Sequence, residues 1–164
     1  EANLRSADGS YTRALNWPCV VMTADCLPIL FCNTSGSQVA AVHAGWQGLS
    51  NGIVSKVVAT FADPASILVW MGPAIGPDAF EVGPDVLAAF DIDPSHVPQE
   101  FTPVNTKPNK WMGNLYALAR KELAGLGVTQ VFGGEHCTLS DAEHFYSHRR
   151  DPQSGRMASL IWII

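Results

Sequence analysis

Short apolar runs separated by turn residues fill the first quarter of the chain. Cys19–Thr23 (CVVMT) is one, residues 27–32 (LPILFC) are a second, and residues 38–42 (QVAAV) are a third. Runs of this length, rich in Val, Ile and Phe and bounded by breakers, predict buried strands. Asn33-Thr-Ser-Gly-Ser separates the second from the third and predicts a hairpin turn. The period then changes. Across residues 48–62, Leu49, Ile53, Val54, Val57, Val58 and Phe61 recur at helical spacing on one face. One continuous helix is expected there, ended by Asp63-Pro64.

Further on, Ile67–Met71 (ILVWM) predicts a strand that runs into the loop Gly72-Pro-Ala-Ile-Gly-Pro77. Residues 85–90, after Pro84, predict a short helix. Residues 91–110 carry four prolines (Pro94, Pro98, Pro103 and Pro108) and are expected to form a long loop or lid. Residues 112–126 predict a second long helix, with Leu115, Leu118, Ala119 and Leu123 on one side and Gly127 as its stop. Residues 128–132 and 157–164 predict strands, and 143–148 are a further strand candidate. Residues 1–10 offer no signal that starts an element. The pattern is one α/β or α+β domain with a mixed sheet, spanning residues 1–164.

Composition narrows this. Hydrophobic residues make up 47% of the 164 and charged residues 15%, which supports a real core and excludes a disordered tail. The net charge of -5 argues against nucleic acid held on a broad basic surface. It leaves room for a local basic pocket that takes an anion. No apolar run approaches the roughly 20 residues of a membrane-spanning helix, so a soluble protein away from membranes is expected. The four cysteines, Cys19, Cys26, Cys32 and Cys137, form no C-x-x-C pair, and reduced thiols in a cytoplasmic protein are expected.

Four segments could carry chemistry. In Thr23-Ala-Asp-Cys-Leu-Pro28, Cys26 stands beside Asp25 where a strand meets a proline. A metal ligand, a nucleophile or a core thiol would all suit the position, and by frequency the core thiol leads. In Val42-His-Ala-Gly-Trp-Gln-Gly-Leu49, a strand ends at His43, and Gly45, Gln47 and Gly48 lead into a helix. Such a helix start suits an anion, and a capped turn with a satisfied histidine is the plain alternative. In the Gly/Pro loop that follows residue 71, Glu81 could hold a ribose hydroxyl, or the loop could simply be a stiff crossover. In Phe145-Tyr-Ser-His-Arg-Arg-Asp151, Arg149 and Arg150, with Arg156 nearby, could clamp phosphate, although a solvated turn is the commoner outcome. His96, His136 and His144 lack a supporting pattern.

Taken in order, VMTADCLPILF, AAVHAGWQGL, GPAIGPDAFEVG, FGGEHC and FYSHRRDPQSGRMASLIWII resemble the YfiH/YlmD family from residue 7 onward. The family goes under the names multicopper polyphenol oxidoreductase laccase, purine nucleoside phosphorylase and peptidoglycan editing factor. The resemblance implies a layered α/β/β/α sandwich. It implies a metal, zinc or alternatively copper, bound by a cysteine and two histidines, of which Cys26 and His43 match two. The other histidine belongs to a Q-V-H-G segment upstream of residue 1, so the chain is expected to be a C-terminal portion of a longer one. Asp25 would stand behind the metal. Gly45, Gln47, Glu81, Arg149 and Arg150 would bind substrate.

The implied activity is phosphorolysis of purine nucleosides, methylthioadenosine included, with phosphate as co-substrate, together with adenosine deamination. A Cys/His hydrolase that edits peptidoglycan precursors, a non-catalytic domain that binds a nucleoside or a partner, and a copper oxidase are the alternatives. Two positions depart from the family pattern. Gln47 stands where an arginine is usual and loses the bidentate fork, and Asn114 stands where an aspartate is frequent.

Overall fold

The computed structural model describes residues 7–164. The first strand, β1 (Gly9–Thr12), falls in the opening stretch that gave no sequence signal. It follows that β2 is Cys19–Thr23, β3 Leu27–Asn33 and β4 Val39–Ala44, close to the three expected strands. β3 and β4 form the expected antiparallel hairpin, and Asn33 caps its turn by accepting from the Ser37 N–H at 2.9 Å.

The helix expected over 48–62 is broken. α1 is Trp46–Ser50 and α2 is Ile53–Val58. The break is the Asn51-Gly52 pair, where Gly52 takes φ +69, a left-handed conformation that stops α1 and restarts the chain as α2. The apolar face survives the break, because Leu49, Val54, Val57, Val58 and Phe61 are all buried.

β5 (Ile67–Met71) and α3 (Pro84–Ala89) lie where expected. The Pro-rich stretch is not a bare lid. It contains β7 (Phe101–Pro103), which pairs with β8 (Trp111–Gly113), and β8 pairs in turn with β6 (Glu81–Val82). α4 therefore starts later than expected, at Leu115–Gly125, with Asn114 as its N-cap. β9 is Gln130–Gly133 and β10 is Met157–Ile161. Residues 143–148 form turns rather than a strand, since Asp141 and Asp25 take up their local donors in place of a sheet partner.

The main sheet has the order β1-β4-β3-β5-β9 and is antiparallel except for β5 with β9. α1 and α2 pack on β4, and α4 packs on α2. Ile29, Phe31, Val42, Val69 and Met71 point from the sheet into that helical side. The ribbon β2-β10 lies on the opposite face, and Cys19, Val21, Val39 and Ala41 close a second, smaller core beneath it. The result is a mixed α/β domain in layers, as expected. No helix among the described residues is long and apolar enough to cross a membrane.

Candidate functional site

The β3/β4 hairpin sets the site. Its register places Pro28 opposite His43 and Leu27 opposite Ala44. Continued one residue, it brings Cys26 opposite Gly45. A Cβ added to Gly45 would lie 2.9 Å from Cys26 Sγ, so the sulfur rests on the bare glycine backbone. Cys26, in the bend that precedes β3, and His43, near the end of β4, therefore lie at the same end of the hairpin.

Two acidic residues surround this pair. Asp8 lies opposite His43 across the β1/β4 pairing, and its carbonyl accepts from the His43 N–H at 2.7 Å. The Asp8 carboxylate faces His43 Nδ1 at 3.5 Å. Asp25 adopts φ +82 and is buried. Its carboxylate accepts from the Thr138 hydroxyl at 2.6 Å, the Ser147 hydroxyl at 3.0 Å and the Arg149 N–H at 2.6 Å, while its carbonyl accepts from the Ile75 N–H at 2.9 Å. Asp25 thus ties the β2–β3 turn to the β9–β10 connection and to the loop that follows β5.

Burial pushes the Cys26 thiol above its ordinary value, the negative charges of Asp25 and Asp8 push it further, and Arg156 pulls the other way. Arg149 and Cys26 line one cleft of about 190 Å³ together with Trp46, Phe80, Leu115 and His148. Among the described residues, the Arg149 guanidinium reaches only the Glu81 carbonyl, at 3.4 Å from each terminal nitrogen.

Other expected site residues lie elsewhere or do other work. The Arg150 guanidinium donates to the carbonyls of Thr138 (2.9 Å), Leu139 (3.0 Å) and Phe145 (2.6 Å), so the structure makes it a staple between loops and not a free phosphate clamp. The Glu81 carboxylate accepts from Lys107 Nζ at 2.6 Å, which lowers its pKa first through that hydrogen bond. Its backbone, not its carboxylate, touches Arg149. Gln47 lines a separate open cavity of about 660 Å³ with Lys56 and Asp8. α1 has five residues, too few for a strong dipole, so Gly45 serves the close approach of Cys26 and not an anion. Asn114 accepts from the Ala117 N–H at 2.9 Å, and an aspartate would cap α4 equally well.

Sequence reasoning missed Asp8, Thr138, Ser147 and Tyr116. Tyr116 accepts from the Ala74 N–H at 2.7 Å and donates to the His136 carbonyl at 2.7 Å, joining α4 to two loops. Thr138 and Ser147 sit within or beside the motifs already singled out, so their place in those motifs was the available signal.

A thiolate and an imidazole suit zinc. Cys26 and His43 supply two donors, and among the described residues no group of three or more His, Cys, Asp or Glu side chains could hold a metal ion. The described residues therefore do not make a complete metal site.

A family model described as multi-copper polyphenol oxidoreductase laccase matches residues 1–164. A Haemophilus influenzae protein named purine nucleoside phosphorylase is 51% identical over 157 residues, covering 95% of this chain and 64% of that protein. An Escherichia coli K12 protein named purine nucleoside phosphorylase YfiH is 50% identical, covering 98% of this chain and 65% of its own length. The crystal structure of a Neisseria meningitidis protein superposes with a TM-score of 0.89 at 46% identity, over 96% of this chain and 64% of that one. The chain thus spans just under two thirds of the length of the relatives it matches.

Proposed function

Because the chain belongs to the family described as multi-copper polyphenol oxidoreductase laccase, we propose that it carries part of a purine nucleoside phosphorylase site, the activity for which its Haemophilus influenzae and Escherichia coli relatives are named. The observation that carries this reading is the cleft in which Cys26, Trp46, Phe80 and Arg149 meet. Trp46 and Phe80 offer flat apolar walls to a purine ring. The Arg149 guanidinium offers a fork to phosphate.

Phosphorolysis then proceeds by bond exchange at the ribose. A phosphate oxygen bonds to C1′, the C1′–N9 bond breaks, and its electron pair leaves with the base, which gains a proton. Arg149 holds the phosphate in line and offsets its charge, and the aromatic walls orient the base. Zinc, when bound, would polarise substrate oxygens or supply a nucleophile for deamination. Cys26 and His43 would be two of its ligands. Methylthioadenosine cleavage, adenosine deamination and action in the cytoplasm belong to the same reading.

The test is release of hypoxanthine from inosine with and without phosphate, alongside calorimetric titration with inosine. Phosphate-dependent release that falls with Arg149→Ala supports the reading. Inosine that neither binds nor reacts, in this chain or in one extended to the relatives' full length, overturns it.

A further inference from the structure

Three cations converge on residues 81–83 at the rim of the cleft. Lys107 Nζ donates to Glu81 Oε2 at 2.6 Å. The Arg149 guanidinium reaches the Glu81 carbonyl at 3.4 Å from each terminal nitrogen. Lys110 Nζ stands 3.8 Å from the point where a Cβ on Gly83 would lie. The fold delivers the two lysines together. Residues 104–110 join β7 to β8, and this loop is closed by the Val104 N–H on the Lys110 carbonyl and the Lys107 N–H on the Val104 carbonyl, both at 2.9 Å. β8 pairs with β6 in the register Glu81↔Met112 and Val82↔Trp111, and one further step sets Lys110 opposite Gly83. Phe80, the residue before β6, lines the cleft with Arg149. Two carboxylates stand among these cations. Asp85 Oδ1 lies 2.7 Å from the same Gly83 point, yet among the described residues it forms no ion pair with Lys110. Glu81 is paired with Lys107, and the two side chains are 28% and 58% exposed. Three cations against two carboxylates leave an excess of positive charge beside the cleft. The Lys107 hydrogen bond first, and then the charges of Lys107, Lys110 and Arg149, hold the Glu81 carboxyl below its ordinary value, so one carboxylate feels all three cations.

We propose that Lys107 and Lys110 join Arg149 in one phosphate subsite, in which Glu81 is the counter-charge that an incoming phosphate displaces from Lys107. This subsite rests on the reading that Arg149 takes phosphate in the cleft. Phosphate is a multiply charged anion with four oxygens, and the Arg149 fork engages two of them. Ammonium groups on flexible stems suit the others, because lysine acts as a mobile point charge that can follow the anion. The exchange costs little, since a solvent-exposed ion pair such as Lys107 with Glu81 contributes little to stability.

The test titrates inorganic phosphate at fixed ionic strength, by phosphorus NMR without nucleoside and by the phosphate KM of inosine cleavage. Lys107→Gln and Lys110→Gln are each expected to weaken phosphate about fivefold, and the double variant about twentyfold. Lys107→Arg is expected to keep the parent affinity. Glu81→Gln releases Lys107 and is expected to tighten phosphate by a few fold. The lysine variants are expected to unfold at the parent temperature, which separates lost binding from lost structure. Parent phosphate affinity in the double variant overturns the proposal, and so does phosphate binding that Glu81→Gln weakens. A second titration uses inosine 5′-phosphate. Lysine-dependent binding of this ester, with none of inorganic phosphate, overturns the proposal and assigns the cations to a phosphate carried by the substrate. Phosphate binding that needs both lysines, in a chain that leaves inosine uncleaved, supports the subsite and overturns the nucleoside reading alone.

Discussion

The Thr138 hydroxyl donates to Asp25 Oδ1 at 2.6 Å across 113 residues of sequence. With Ser147 and the Arg149 N–H on Oδ2, this contact ties the β9–β10 connection to the turn before β3 at one buried carboxylate. Asp25→Ala leaves two hydroxyls and an N–H without an acceptor. It is expected to cost about 3 kcal/mol in urea unfolding, and to speed exchange of the Arg149 amide. Asp25→Asn retains one acceptor oxygen and is expected to lose less. Equal stability of Asp25→Ala and the parent chain would show that the carboxylate holds nothing together.

Gly45 has φ -69, which any residue can adopt, so its substitution tests space and not backbone strain. An added methyl would lie 2.9 Å from Cys26 Sγ. Gly45→Ala must therefore move the sulfur by several tenths of an ångström. The expected result is a stability loss of about 1 kcal/mol, with a larger fall in kcat/KM for nucleoside phosphorolysis. A variant that keeps full activity would mean that the position of the Cys26 sulfur does not matter to the reaction.

Tyr116 gives a pH dependence with a defined sign. Desolvation pushes its phenol up to about 12, the Ala74 N–H pulls it down, and the Cys137 charge adds to the rise. Below the unfolded value of 10.0 both states hold the proton, and stability does not change through this group. Between 10 and about 12 the unfolded chain ionises while the folded one keeps its proton. Stability should fall through that window by about 2 to 3 kcal/mol. Thermal unfolding measured across it should show the fall, and Tyr116→Phe should lack it while starting lower, because the Ala74 N–H loses its acceptor.

Legibility in the sequence followed how local the cause was. The runs 19–23, 27–32 and 67–71 gave their strands because burial there depends on the residues in the run itself. The helix over 48–62 was read as continuous because its apolar spacing persists, and the pattern does not register that Gly52 has turned left-handed. β7 and β8 were missed because three-residue strands exist only through their pairing, which no local pattern records. Their motifs and 17-residue separation single out Cys26 and His43 in the sequence. Asp8 and Thr138 were not legible, since each acts through a partner that only the folded chain brings near. The partners of Arg150 were not legible for the same reason, because its carbonyl partners at 138, 139 and 145 are set by loop packing.

Asp8 raises the Cys26 thiol through its charge, after burial and Asp25. Asp8→Asn removes that charge, lowers the thiol pKa and so increases the thiolate fraction at any pH below it. Iodoacetamide alkylation of Cys26 at fixed pH should speed up by a few fold, with the rate profile displaced toward acid. Alkylation that is unchanged or slower would place Asp8 out of electrical reach of the sulfur.

Arg149 and Arg150 are adjacent in sequence and opposite in employment. The Arg149 side chain makes two long contacts of 3.4 Å to one carbonyl, whereas Arg150 donates three times to carbonyls of two loops at 2.6 to 3.0 Å. Arg149→Ala should therefore leave unfolding within about 0.5 kcal/mol of the parent and raise the KM for phosphate by tenfold or more, roughly one hydrogen-bonded charge. Arg150→Ala should do the reverse: it should destabilise by about 2 to 3 kcal/mol, while the phosphate KM of the molecules that remain folded stays close to the parent value. Phosphate titrations and urea curves on the two variants separate the roles cleanly, because a shared phosphate clamp would raise both KM values together and leave both unfolding curves in place.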